Sequence, residues 1–258
     1  MGMNRIITLT TDFGNRDHYV GSMKGVIYTI NPDVIITDIT HGIPAHDIFS
    51  AAFTLRSFIP YFPKETIHIV VVDPGVGSDR KPIVLEADEN FFVGPDNGVF
   101  TYVMLEAESF RAYEISNPKY FLSGVSFTFH GRDIFAPSAA HISLGVSVRS
   151  LGKRLLNPFM LEIREPEIGK DETIGEVIYE DTFGNLITNI PGSMVGSNST
   201  LYVCDILING VCKSYSEAPE GELLAVIGSS GFLELSVYRG RASDLIKCGS
   251  RKIYIRNN

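Results

Sequence analysis

The grammar of the chain changes about two-thirds of the way along, and that change constrains the fold more than any single motif. In the first part, β-branched apolar runs alternate with stretches whose apolar residues recur at helical spacing. RIITLTTDFG reads as a strand that ends at Asp12 and a glycine turn. HYVGSMKGVIYTINP reads as a helix, with Val20, Met23, Val26, Ile27 and Ile30 on its apolar side and Pro32 as its stop. A strand (VIITDIT), a helix with proline breaks (AHDIFSAAFTLRSFIPYFP), a strand (TIHIVVVDPG), a hairpin (PIVLEADENFFVGP) and a helix (NGVFTYVMLEA) follow, and DIFAPSAAHISLGVS closes this half as a helix. Such alternation predicts an α/β fold with a mainly parallel sheet and flanking helices. Beyond a charged stretch with prolines and glycines near residues 157–172, the pattern becomes TIGEVIYED, LITNIP, TLYVCDILING, LLAVIGSSG, FLELSVYRG and KIYIRNN, short strands separated by turn residues. That predicts a smaller all-β barrel or sandwich. The expected division is an α/β N-terminal domain over 1–160, a linker over 161–172 and a C-terminal β-barrel domain over 173–258.

With 258 residues the chain is long enough to bury about 70–75% of its unfolded surface. Hydrophobic residues at 44% and charged residues at 20% describe a globular protein rather than a disordered one. A net charge of −8 argues against nucleic acid as the partner, because phosphate binding needs a positive footprint. Cys204, Cys212 and Cys248 have no CxxC spacing, so they read as thiols in a reducing compartment rather than a disulfide framework or zinc knuckle. No basic-plus-apolar leader precedes the first strand and no apolar run approaches about 18 residues. A cytoplasmic protein with no membrane partner is expected.

In open α/β sheets, ligands sit beyond the carboxyl ends of the strands. Asp12, Asp73 and the Pro95-Asp96-Asn97 turn all fall there. Asp12 either caps the following helix or accepts two hydrogen bonds from a ribose diol. VVVDPGVGSDRKP, Val70 to Pro82, delivers Asp73 into a Gly/Pro turn with Arg80 a short loop further on. It lacks the GxxxxGK[ST] spacing of a phosphate loop. Asp-Pro-Gly is good turn chemistry by itself, but a permanently charged guanidinium nearby would hold the carboxylate ionised. FTFHGRDIFAP offers His130 to the same kind of place, and Asp73, Arg80 and His130 form a candidate acid/base set. The remaining histidines form no HxH or HExxH set, which disfavours zinc; an oxygen-ligand Mg²⁺ site from Asp12, Asp73 and Asp96 is the open alternative. In YEDTFGNLITNIPG, a buried-looking Phe183 and Asn185 sit in what is either a hairpin turn or a purine-reading loop. Ser229 and Ser230 supply hydroxyls in a second tight loop, suited to an amino-acid head group.

Taken in order, LTTDFG, VDPGVGSDR, GPDNG, TFHGRDIFAP, FGNLITNI and SSGFLEL resemble the S-adenosyl-L-methionine (SAM) hydrolases, or SAM hydroxide adenosyltransferases, which are related to the fluorinase and chlorinase. The resemblance covers nearly the whole chain. It implies an α/β N-domain and a C-terminal β-barrel assembled as a homotrimer, with substrate bound between the N-domain of one subunit and the C-domain of its neighbour. Carried onto this sequence, Asp12 matches the residue that holds both ribose hydroxyls, and Phe129 and Phe183 match residues packed around the nucleoside. Asn185 and Ala242 match those reading adenine. Asp181 and Ser229 match the pair at the methionine end, with Glu180 one position away as the competing acid. Halogenating relatives carry tyrosines where Asp73 and His130 stand and a serine where Gly131 stands, so the hydrolase set is complete here. Arg241 departs from the asparagine common in the family.

The resemblance implies attack of water on C5′ of the sulfonium, giving adenosine and L-methionine. The leaving group is a neutral thioether and needs no protonation, so no metal or organic cofactor is expected and SAM is the substrate. Asp73 and His130 would orient the water and take its proton, a role worth about 10²–10⁴ in rate. A chlorinase-like halogenase and a non-catalytic adenosine- or SAM-binding trimer are the alternatives.

Overall fold

The computed structural model describes residues 5–247 and 251–256, and the chain divides into two compact units, one running to Leu161 and the other starting at Glu162. The first contains β1 (Ile6–Thr11), α1 (Tyr19–Ile30), β2 (Ile35–Thr40), α2 (Ile48–Phe58), β3 (Ile67–Val71), β4 (Pro82–Ala87), β5 (Asn90–Pro95), α3 (Thr101–Glu106), β6 (Phe110–Glu114), α4 (Ala136–Ser143) and β7 (Arg154–Leu155). Its seven-stranded sheet has the order β2-β1-β3-β5-β4-β6-β7.

Why β3 is apolar at nearly every position follows from its place in the middle of this sheet. Ile67, Ile69 and Val71 pack with Ile7 and Leu9 against Met23 and Ile27 of α1 and Ala136, Ala139 and Ala140 of α4. Val70 and Val72 face the opposite side, where Ala51 and Leu55 of α2 pack with Phe100 and Val103. A strand covered on both faces reads as a continuous hydrophobic run. This burial fixes the level at which the strand ends, and with it the position of Asp73.

The sheet is mixed rather than mainly parallel. β2, β1, β3 and β5 run parallel, whereas β4 pairs antiparallel with β5 and β6, and β6 with β7. The hairpin was legible, and its consequence is the correction: Asp88 and Glu89 both adopt positive φ (45° and 68°), the two-residue turn that folds β4 directly back on β5. Strand β6, FRAYE, has only two fully buried residues and carries little apolar signal. The helix expected from Asp133 begins as a π-helical turn, Gly131–Phe135, before α4.

The second unit holds β8 (Glu167–Ile168), β9 (Glu172–Glu180), β10 (Leu186–Pro191), β11 (Thr200–Val203), β12 (Ile206–Asn209), β13 (Leu223–Ile227), β14 (Phe232–Val237), a short helix α5 (Ala242–Leu245) and β15 (Lys252–Arg256). The sheet order is β12-β11-β15-β9-β10-β14-β13, with β8 on β9 and every pair antiparallel. Cys212, just past β12, bridges to Val226 of β13, so the sheet nearly closes into a barrel around Val177, Ile190, Leu201, Leu233 and Ile253. The segment TLYVCDILING is two strands, turned at Cys204 with φ 53°. Cys204 is disulfide-bonded and Cys212 is free, which corrects the expectation of three thiols; Cys248 lies outside the described residues. Among the described residues no helix is long and apolar enough to cross a membrane.

Candidate active site

Three parallel strands, β1, β3 and β5, end at one edge of the first sheet and release Asp12, Asp73 and Asp96 there. A cavity of about 270 Å³ opens at this edge, lined by Asp12, Phe13, Tyr19, Ala45, His46, Val71, Asp73, Val76, Thr128, Phe129, His130 and Gly131. Asp12, Asp73, Phe129 and His130, all expected from sequence, therefore share one concavity. Arg80 does not line it and sits behind.

Arg80 joins the acid to the imidazole. Its Nε donates to Asp73 Oδ1 at 2.8 Å and its Nη2 donates to Asp73 Oδ2, a two-point fork. The same Nη2 donates to His130 Nδ1 at 2.8 Å. Both charged side chains are nearly excluded from solvent, with 8% of Arg80 and 5% of Asp73 exposed. The guanidinium also lies over Phe135, 5.4 Å from the ring centre. Burial, and after it the Arg80 charge, pushes His130 below the ordinary histidine range, against the pull of Asp73 and Asp133.

The loop that carries Asp73 to Arg80 is held at both ends. Val76 N donates to Asp73 O and Ser78 N to Gly75 O, while Asn97 Nδ2 donates to Val72 O at 2.9 Å. Gly77 has φ 79°, and a Cβ there would stand 2.4 Å from the Phe127 carbonyl oxygen. Only glycine permits that loop to press on the 122–128 segment. That segment is pinned in turn by Asp133, whose Oδ2 accepts from Ser126 N and Oγ and whose carboxylate pairs with Arg132. Burial opposes ionisation of Asp133, but Arg132 and Ser126 outweigh it and hold the carboxyl below its usual range. His130 precedes the π-helical turn, a geometry often found at functional sites.

On the Asp12 side, Gly14 at φ 66° donates its N–H to His41 O at 2.7 Å, and His46 N donates to Asp12 Oδ2 at 2.9 Å. The carboxylate is thus oriented by backbone and makes no cap to α1. An aromatic wall completes the cavity: Phe129 meets Tyr19 edge-on at 5.2 Å and Phe13 at 5.9 Å, with the Arg132 guanidinium 5.0 Å from its ring centre. Phe13, Tyr19, Ala45, His46, Val76 and Thr128 went unnoticed in the sequence; only the aromatic directly after Asp12 offered a signal. Asp96 accepts from Phe159 N at 2.7 Å, and among the described residues no three carboxylate, histidine or cysteine side chains converge to hold a metal.

The other candidates lie on the second unit. Asp181, Phe183 and Asn185 share the β9–β10 hairpin turn, where Asp181 accepts from Phe183 N, Asn185 N and Asn185 Nδ2, each at 2.9 Å. Phe183 is 74% exposed within the chain, not buried, because the turn closed by Asp181 directs it outward. Ser243 N donates to Gly184 O, which brings the buried Ala242 to this turn. Arg241 pairs with Glu180 at 2.9 Å and donates to Thr182 O, so the residue that departs from the family pattern engages the competing acid. Ser229 stands apart in the exposed β13–β14 turn, beside the end of β10 opposite to Asn185, where Gly192 N donates to Gly231 O.

Residues 7–152 match the SAM hydroxide adenosyltransferase N-terminal domain and residues 175–253 the corresponding C-terminal domain. The (R)-S-adenosyl-L-methionine hydrolase of Methanocaldococcus jannaschii is 39% identical over 93% of this chain and 91% of its own length. That of Thermus thermophilus is 35% identical over 94% and 95%. A fluorinase of Nocardia brasiliensis is more distant, at 26% identity over 91% of each chain. A crystal structure of a conserved protein from Thermotoga maritima superposes with a TM-score of 0.91 at 40% identity, covering 97% of this chain and all of that one.

Proposed function

Because the chain belongs to the SAM hydroxide adenosyltransferase family, we propose that it hydrolyses SAM to adenosine and L-methionine, with water attacking C5′ in line with the departing sulfur. The observation that carries this reading is the Asp73–Arg80–His130 linkage at the edge of a cavity that Asp12 also lines. The relatives are named for the (R) sulfonium epimer, and we assign the same preference to this chain.

The chemistry needs little beyond placement. A sulfonium leaves as a neutral thioether, so the deficit is in the nucleophile, and fixing one water against C5′ supplies it. Positive charge on sulfur falls as the C–S bond breaks, a change favoured in a cavity walled by Phe13, Tyr19 and Phe129. No electron is gained or lost and no cofactor enters the balance. Asp12 has one oxygen held by His46 N, and the carboxylate retains the lone pairs to accept from both ribose hydroxyls. Arg80, behind the cavity, acts through Asp73 and His130.

The two sets of expected contacts fall on different units. In this reading a homotrimer brings Asp181, Phe183, Asn185, Ser229 and Ala242 of one copy to the cavity of another; the outward, three-quarters exposed Phe183 supports it. Incubating the protein separately with each sulfonium epimer and chromatographing the products is the test. Adenosine and methionine from the (R) epimer are expected. A halide-dependent 5′-halo-adenosine, or both epimers unchanged by folded protein, would overturn the proposal.

A further inference from the structure

The route by which the water's proton leaves is written into the contact between Arg80 and His130. A guanidinium offers only N–H donors and has no lone pair with which to accept. Its Nη2 lies 2.8 Å from His130 Nδ1, so Nδ1 is the unprotonated nitrogen of that ring. The fork cannot turn away, because Nε and the same Nη2 are both committed to Asp73. A neutral imidazole with a bare Nδ1 carries its proton on Nε2.

From this geometry we propose that His130 serves the nucleophilic water as a hydrogen-bond donor, through Nε2–H, and that the Asp73 carboxylate is the group that accepts the water's proton. The proposal deepens the SAM-hydrolysis reading and rests on it. A doubly protonated His130 would aim a second N–H at the Arg80 donor. Three charged groups face the ring: Arg80 disfavours its protonation, whereas Asp73 and Asp133 favour it, and burial tips the balance toward the neutral form. Asp73 spends one lone pair of each oxygen on Arg80 and keeps the others. Both Asp73 and His130 line the cavity, so one water can donate to the first and accept from the second.

The step balances without a stronger base. A lone pair of the water forms the O–C5′ bond while the C5′–S pair departs on sulfur as the methionine thioether. As the new bond forms, the water's protons become those of a protonated alcohol, far more acidic than a carboxylic acid. Transfer to Asp73 is then downhill, and the proton passes on to solvent, one for each SAM consumed.

Two measurements decide the matter. In protein labelled with ¹⁵N-histidine, a long-range ¹⁵N–¹H correlation spectrum at pH 7 should show His130 as the neutral Nε2–H tautomer, its signals identified by their loss in His130→Gln. In turnover of SAM, glutamine keeps an N–H near the Nε2 position but cannot take a proton, so His130→Gln should stay within about tenfold of wild type, while His130→Ala, which leaves the water unoriented, loses about 10²-fold. An Nδ1–H tautomer, a doubly protonated ring, or a glutamine variant as slow as alanine would overturn the assignment. The spectrum needs no substrate, so an unreactive wild-type protein would sink the hydrolysis reading while the tautomer was still decided.

Discussion

Replacing Arg80 separates its electrostatic role from its geometric one. Arg80→Met leaves the Asp73 carboxylate in a site where only 5% of the side chain reaches solvent, with its cation gone. Removing one member of a buried pair costs about 3–5 kcal/mol, mostly the penalty of the stranded charge. In a chain of this size about 1 kcal/mol moves the melting temperature by roughly 2–4 °C, so a drop on the order of 10 °C is expected. Arg80→Lys keeps a charge but not the fork that reaches Asp73 Oδ1, Asp73 Oδ2 and His130 Nδ1 together; losing a charge-assisted bond costs about 1.5–3 kcal/mol. Urea unfolding at fixed protein concentration, beside SAM turnover, reads both. The decisive variant is Arg80→Met combined with Asp73→Asn, which removes the stranded charge and should be less destabilised than the two single changes sum to. If Arg80→Met costs under about 1 kcal/mol, or the double change is simply additive, the buried-pair reasoning fails. In every Arg80 variant turnover should fall steeply, because the ring loses the donor that fixes its tautomer.

Buried His68 stacks on Phe92 at 5.0 Å, bonds Thr8 Oγ1 through Nδ1, and is pushed by burial down to about 3. Its folded value lies below the unfolded one, so its contribution is complete above about pH 6.5 and is lost as pH falls toward 3, roughly 5 kcal/mol over the window. Non-titrating His68→Gln should flatten that part of the pH dependence; parallel urea midpoints from pH 7 to 4.5 for both proteins would refute it. Asp12→Asn removes the charge but not the His46 N–H acceptor, so adenosine affinity measured by calorimetry should drop by about ten- to a hundredfold, with stability shifted by under about 1 kcal/mol. Gly77→Ala forces a Cβ onto the Phe127 carbonyl at φ 79° and should cost about 1–3 kcal/mol together with a loss of turnover; a silent substitution would show that the two loops are not locked.

What could be read before the structure was whatever repeats or punctuates. The strand runs, the helix of Val20 to Ile30 and the β4–β5 hairpin carry their periodicity or turn chemistry in consecutive residues, and Asp12 and Asp73 announce themselves as carboxylates at strand exits. The two antiparallel pairings beyond that hairpin, β4–β6 and β6–β7, stayed hidden because β6 and β7 are short and half-exposed, so their pairing comes from the neighbouring hairpin edge and not from their own pattern. The outward Phe183 was misread for a related reason: an aromatic between apolar strands looks like core until the Asp181 bonds that turn it outward are known.

The site shows the same division between identity and relation. Asp73, Arg80 and His130 are visible as residue types, yet their roles depend on one atom: Nη2 touches both the carboxylate and Nδ1. Arg80 lies 7 positions after Asp73, and His130 lies 50 positions after Arg80; the first gap is spanned by a loop that Gly77 lets press against the 122–128 segment, the second by the Asp133 clamp on Ser126. Neither clamp touches the cavity, and each fixes the angle at which a reacting group enters it. A ring that did not accept from Arg80 would keep the same three residues and be free to present a lone pair to the water instead of a proton. The chemistry of this site is therefore set less by which groups are present than by the contact through which Arg80 claims the lone pair of the ring.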